Sequence, residues 1–151
     1  MSAEELDRAR GIAGRLRGYL PNRWPEWFRP EPIAFAPSRY GAFERACPVT
    51  PDGQVVIVPT PGHTPGHVSV VVQDGDLSYF LAGDATYTER ALADQQVDGV
   101  SPSQTVALGT LRTILDFTRE RPTVYLPTHD PDSGERMASA TTVQRAAELE
   151  S

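Results

Sequence analysis

The chain has 151 residues and a mass of 16.5 kDa, with 39% apolar and 23% charged residues, which suits one domain with a buried core and excludes a disordered chain. A net charge of −6 argues against a nucleic-acid surface, and no apolar run reaches the roughly 18 residues of a membrane span. The single cysteine, Cys47, excludes an intramolecular disulfide framework and a thiolate zinc cluster, while 14 arginines and no lysine exclude Schiff-base or Walker-lysine chemistry.

The chain opens Met1-Ser2-Ala3-Glu4-Glu5, acidic and without an apolar signal core, so a cytoplasmic protein is expected. Ser2 and Glu5 form a capping-box pattern, and Leu6, Ala9, Ala13, Leu16 and Leu20 lay one apolar stripe, which predicts a helix ended by Pro21. Gly11, Gly14 and Gly18 weaken that helix by about 1 kcal/mol each relative to alanine. Prolines and aromatic residues alternate from Pro21 to Pro65, which predicts an irregular loop with a short strand near 33–35. Trp24, Trp27 and Phe28 suit either a hydrophobic core or the wall of an acyl-chain pocket.

Strands are predicted at 54–58, 67–72, 77–81 and 123–126, with the Asp74-Gly75-Asp76 turn joining the second to the third. Ser101-Pro102-Ser103-Gln104 predicts a helix start with Ser101 as the cap, and Arg119, Arg121 and Pro122 close that helix. A terminal helix is predicted over 142–149. Strands and helices alternate in the second half, so the fold class is α/β.

Three polar residues follow strands directly: His63, Asp84 and His129. Strand-end loops held by a rigid sheet are where α/β proteins place reactive groups. Two imidazoles and a carboxylate suit zinc, iron or manganese, and this set alone leaves a mononuclear iron site open.

Thr60-Pro61-Gly62-His63-Thr64-Pro65-Gly66-His67, then Gly83-Asp84, then Thr128-His129-Asp130, resembles the metallo-β-lactamase superfamily of metal-dependent hydrolases. Asp84-Ala85-Thr86-Tyr87 is most similar to its N-acyl homoserine lactonases, which carry a tyrosine three residues after the bridging aspartate. The resemblance implies an αββα sandwich of which only the C-terminal part is present. In it, residues 1–48 are a helix plus a Pro/aromatic-rich loop, and 49–151 are the strand and helix portion with the ligand positions.

It further implies that His63 ligates one zinc, His129 a second, and Asp84 bridges both. A metal-bound hydroxide opens the lactone of a small-molecule substrate, and Tyr87 stabilises the oxygen that becomes negative. His67 would orient the site rather than bind metal. Asp130 is either an orienter of His129 or a solvated loop carboxylate. Thioesters and other esters stay open as substrates.

The family's His-x-His-x-Asp-His motif is absent, since no histidine precedes His63. The full family site takes five histidines and two aspartates, of which this chain matches two and one. A truncated chain is therefore expected, holding at most one zinc weakly and inactive or impaired alone. Exposed sheet surface would favour homo-oligomers, or pairing with a chain that supplies the missing half.

Overall fold

A computed structural model describes residues 1–16, 18–20 and 23–143. It holds one five-stranded sheet in sequence order: β1 (Cys47–Pro48), β2 (Val55–Pro59), β3 (Val68–Asp74), β4 (Leu77–Gly83) and β5 (Thr123–Pro127). The first four strands pair antiparallel and β5 lies parallel to β4. The α/β class holds, and the longer strands fall within one or two residues of their predicted ends. A two-residue turn joins β3 to β4, with Asp74 paired to Leu77 and Gly75 at φ +58°. A side chain rarely adopts that conformation, so glycine suits the turn.

The first predicted helix is two. α1 (Ala3–Ala9) is capped by the Ser2 side chain, which accepts from the Glu5 N–H as expected. It stops at Arg10, whose backbone is extended, and α2 (Gly11–Leu16) starts afresh. The apolar stripe cannot reveal this break. Gly14 permits it, because a Cβ there would lie 2.7 Å from the Ala9 carbonyl oxygen. The strand expected at 33–35 reduces to a single bridge between Ile33 and Ser2.

Two short helices were not predicted: α3 (Glu89–Ala93), capped by Thr88, and α5 (Ser133–Ser139). Between them runs α4 (Gln104–Glu120). Its cap is Ser103, which accepts from the Val106 N–H, and not Ser101, so the helix starts later than predicted. Ser101 is engaged elsewhere, as described below. The helix predicted at 142–149 lies almost wholly outside the described residues.

Alternation along the strands sets the core. Val56, Val58, Val71, Phe80 and Tyr125 pack on one face against Leu111, Ile114 and Phe117 of α4, with Phe43 and Leu92 in the same cluster. The other face carries two continuous cross-strand rows, Val55–Val72–Tyr79–Val124 and Ile57–Val70–Leu81–Leu126. Val124 and Leu126 are buried, but Leu81 is 41% exposed. From β2 to β4 the described residues therefore leave an apolar sheet face partly open. Trp24, Trp27 and Phe28 are not core residues either: none is buried, and their edge-on contacts are with one another.

Because β2 and β4 both run antiparallel to β3, their C-terminal ends share one edge of the sheet. β5, parallel to β4, ends there too, and the Thr128 N–H donates to the Gly83 carbonyl at 3.0 Å to fix the junction. The topology thus delivers the loops bearing His63, Asp84 and His129 to one edge, where β3 also begins beside His67.

Candidate functional site

Asp84 is placed by its own backbone. Gly83 ends β4 at φ +60°, and a Cβ there would lie 2.9 Å from His67 Nε2. The room is used by the Asp84 N–H, which donates to His67 Nε2 at 3.1 Å. His67 Nε2 is therefore an acceptor, and its proton sits on Nδ1, 2.9 Å from Thr60 Oγ1 and 3.1 Å from the Thr60 carbonyl.

The rest of the chain of bonds follows. Ser69 Oγ donates to the Ala82 carbonyl at 3.1 Å, so the Thr60 hydroxyl donates to Ser69 Oγ at 2.8 Å. Burial lowers the His67 pKa below its ordinary value, outweighing the Thr60 bond and the Asp84 charge, in keeping with a neutral ring. His67 thus holds the backbone of Asp84 through a network that ends on β4 itself.

The Asp84 carboxylate lies between the other two imidazoles. His63 Nε2 is 3.8 Å from Asp84 Oδ2, and His129 Nε2 is 3.2 Å from Asp84 Oδ1. Asp84 Oδ1 is buried and accepts no hydrogen bond among the described residues. His129 is more open, with 59% of its side chain exposed. Tyr87 stands edge-on to both rings, its centroid 5.1 Å from that of His129 and 6.4 Å from that of His63.

Asp130 is buried, so it is not a solvated loop carboxylate. It accepts from the Glu89 N–H at 2.8 Å, the Asp132 N–H at 3.1 Å and Arg136 Nη2 at 2.7 Å. Burial raises its pKa, but these bonds outweigh that and hold the carboxyl below its ordinary value. The bonds tie the loop after β5 to the start of α3 and to α5. Arg136 also reaches the Tyr125 carbonyl of β5.

Sequence reasoning missed Asp98, which lies in the connection between α3 and α4. Its Oδ2 is 2.8 Å from His63 Nδ1, and its Oδ1 accepts from both the N–H and the hydroxyl of Ser101. A separation of 35 residues from His63 leaves no local signal, and Ser101 reads as a helix cap. Beside His63 a cavity of about 610 Å³ opens, walled by Arg8, Tyr19, Thr64, Val100 and Pro102 among others. Tyr19 donates to Glu5 Oε1 at 2.5 Å, and burial, then that carboxylate, pushes its hydroxyl up to about 12.

An imidazole nitrogen and a carboxylate oxygen facing each other are favourable only with a proton or a cation between them. With one imidazole facing each oxygen of the Asp84 carboxylate, and Oδ1 accepting no hydrogen bond among the described residues, the donors are of the kind a divalent metal takes. Their number is not sufficient. Among the described residues no three His, Cys, Asp or Glu side chains are arranged to hold one ion. One imidazole and a shared carboxylate per ion is one short of the three protein ligands usual at catalytic zinc. The described residues fit a metal in donor type but do not by themselves make its site.

The mixed sheet with its helices is the architecture of a partial metallo-β-lactamase fold. The chain belongs to that family: the metallo-beta-lactamase superfamily profile matches residues 7–150. No curated protein matches the chain in sequence. Among solved structures, an N-acyl homoserine lactone hydrolase with the product N-hexanoyl-L-homoserine bound at its catalytic metal centre is 26% identical, with a TM-score of 0.51. That likeness covers 64% of this chain and 37% of the hydrolase. An AiiA mutant from B. thuringiensis with N-decanoyl-L-homoserine at its active site has the same identity, TM-score and coverage. The chain thus spans little more than a third of the length of these neighbours. No helix among the described residues is long and apolar enough to cross a membrane.

Proposed function

We propose that the chain is the part of a lactonase-like, zinc-dependent hydrolase that supplies the carboxylate shared by two ions and one imidazole to each. The carrying observation is Asp84, with one oxygen turned toward His63 Nε2 and the other toward His129 Nε2. The remaining donors belong to a polypeptide segment carrying His-x-His-x-Asp-His. The substrate class is N-acyl homoserine lactones, supported by the two lactonase neighbours and by Tyr87 beside both imidazoles. The cavity next to His63 offers room for the acyl part, and Tyr87 would stabilise the oxygen that becomes negative as the lactone opens.

A reading as a pairing module rests on the open apolar face from β2 to β4. A second sheet would stack on it at about 10 Å and end near the same edge as Asp84. Both readings meet in one experiment. With zinc and N-hexanoyl homoserine lactone, the chain alone is expected to give no ring opening above the zinc background. Mixing with a polypeptide that carries the His-x-His-x-Asp-His half of a lactonase is expected to restore turnover that Asp84→Ala abolishes. Turnover by the chain alone at the rate of an intact lactonase would contradict the proposal.

A further inference from the structure

The geometry points to Asp98 as the positioning residue for His63, holding it in the one tautomer that leaves Nε2 free to bind a cation. The inference rests on the metal-site reading above but can be tested without metal. Asp98 is held from two sides. Its side chain is 7% exposed, and Ser101 donates twice to Oδ1, which leaves Oδ2 for His63 Nδ1 at 2.8 Å. A carboxylate only accepts, so Nδ1 carries the proton and donates it. The lone pair of a neutral His63 is then on Nε2, the nitrogen that faces Asp84. Fixing the far nitrogen through a carboxylate is how histidine ligands are commonly oriented and made more basic.

Asp98→Asn separates this role from mere packing. The two Ser101 donors would hold the amide oxygen where Oδ1 now lies, so the amide NH₂ would face His63 Nδ1. Nδ1 must then accept, and the ring proton moves to Nε2. An Asp→Asn change beside a catalytic-triad histidine acts through the same wrong tautomer.

The test is a long-range ¹H–¹⁵N correlation spectrum of the 151-residue chain and its Asp98→Asn variant at a pH where the rings are neutral, followed by titration with zinc alone. In the wild type, His63 is expected as the Nδ1–H tautomer, and in the variant as Nε2–H. His67, held by its own network, should be unchanged in both and so reports an intact fold. The zinc concentration that perturbs the His63 signals should rise roughly 10–100-fold in the variant.

Wild-type His63 as Nε2–H, or Nδ1–H retained in the variant, would overturn the role of Asp98 whatever the metal does. A tautomer that switches while zinc binding at His63 stays the same would leave that role standing and overturn the metal reading. Should Asp98→Asn disturb His67, Ser101→Ala with Asp98 retained provides the second variant. It keeps the carboxylate on Nδ1 and is expected to keep the Nδ1–H tautomer; loss of that tautomer would overturn the inference.

Discussion

Phe117→Ala is expected to lower the stability of the fold by about 3–5 kcal/mol, the usual cost of emptying a fully buried phenylalanine site. Phe117 lies on the core side of α4 with no exposed surface. Its ring meets Tyr40 at 5.7 Å, Phe43 at 5.8 Å and Phe80 at 5.7 Å between centroids. These contacts join the irregular segment around 40–43, the helix and the sheet, so the cavity would open where three parts of the chain meet. The Arg121 guanidinium, 5.6 Å from the Phe117 ring, would also lose a face. Single domains are stable by only about 5–15 kcal/mol, so the variant would be partly unfolded at modest urea. Trp27→Ala is the control. With the side chain 78% exposed, its change should stay within about 0.5 kcal/mol. Urea unfolding followed by circular dichroism reads both, and equal midpoint shifts would mean that the core is not built around α4 as described.

His67→Ala is expected to cost about 2–3 kcal/mol, although the residue belongs to the same motif as His63. The Asp84 N–H loses its acceptor and the Thr60 oxygens lose their donor. Partners left unsatisfied in a largely enclosed site cost about 1–3 kcal/mol. His129→Ala removes a side chain that is 59% exposed and should change stability by no more than about 0.5 kcal/mol. Thermal unfolding separates the two, with His67→Ala lower by several degrees at roughly 2–4 °C per kcal/mol. Equal melting temperatures would remove the distinction between a histidine that builds the site and one that faces into it.

Much of the sheet was legible because buried strands of valine, isoleucine and phenylalanine are short, β-branched and bounded by turn residues. The edge that gathers His63, Asp84 and His129 was legible as three polar residues placed just beyond strands. What stayed hidden depends on tertiary contact. The break at Arg10 interrupts a stripe that is periodic on both sides, and it goes with the close approach of Gly14 in α2 to the Arg8 and Ala9 carbonyls of α1. Ser101 and Ser103 both read as starts of α4; Ser103 caps it, while Ser101 donates its N–H and its hydroxyl to Asp98. Asp98 carries no signal in the sequence, because its partner His63 lies 35 residues away. Asp130 reads as a loop carboxylate because Arg136 and the Glu89 N–H reach it only in the folded chain.

The open apolar rows were legible as strands but not as a surface. Alternation shows that both faces are apolar, not which one a helix covers. The five-stranded sheet has α4 on one face, and the described residues leave the other partly open, with Leu81 41% exposed.

Zinc stoichiometry tests the central claim most directly: that the chain carries a shared carboxylate and two imidazoles of a larger donor set. Titrating the purified chain with zinc against a competing chelator, with His63→Ala and His129→Ala alongside, should give less than one tightly held equivalent per chain. Any weak binding should fall when either histidine is removed. Two tightly held equivalents in the chain alone would contradict the claim.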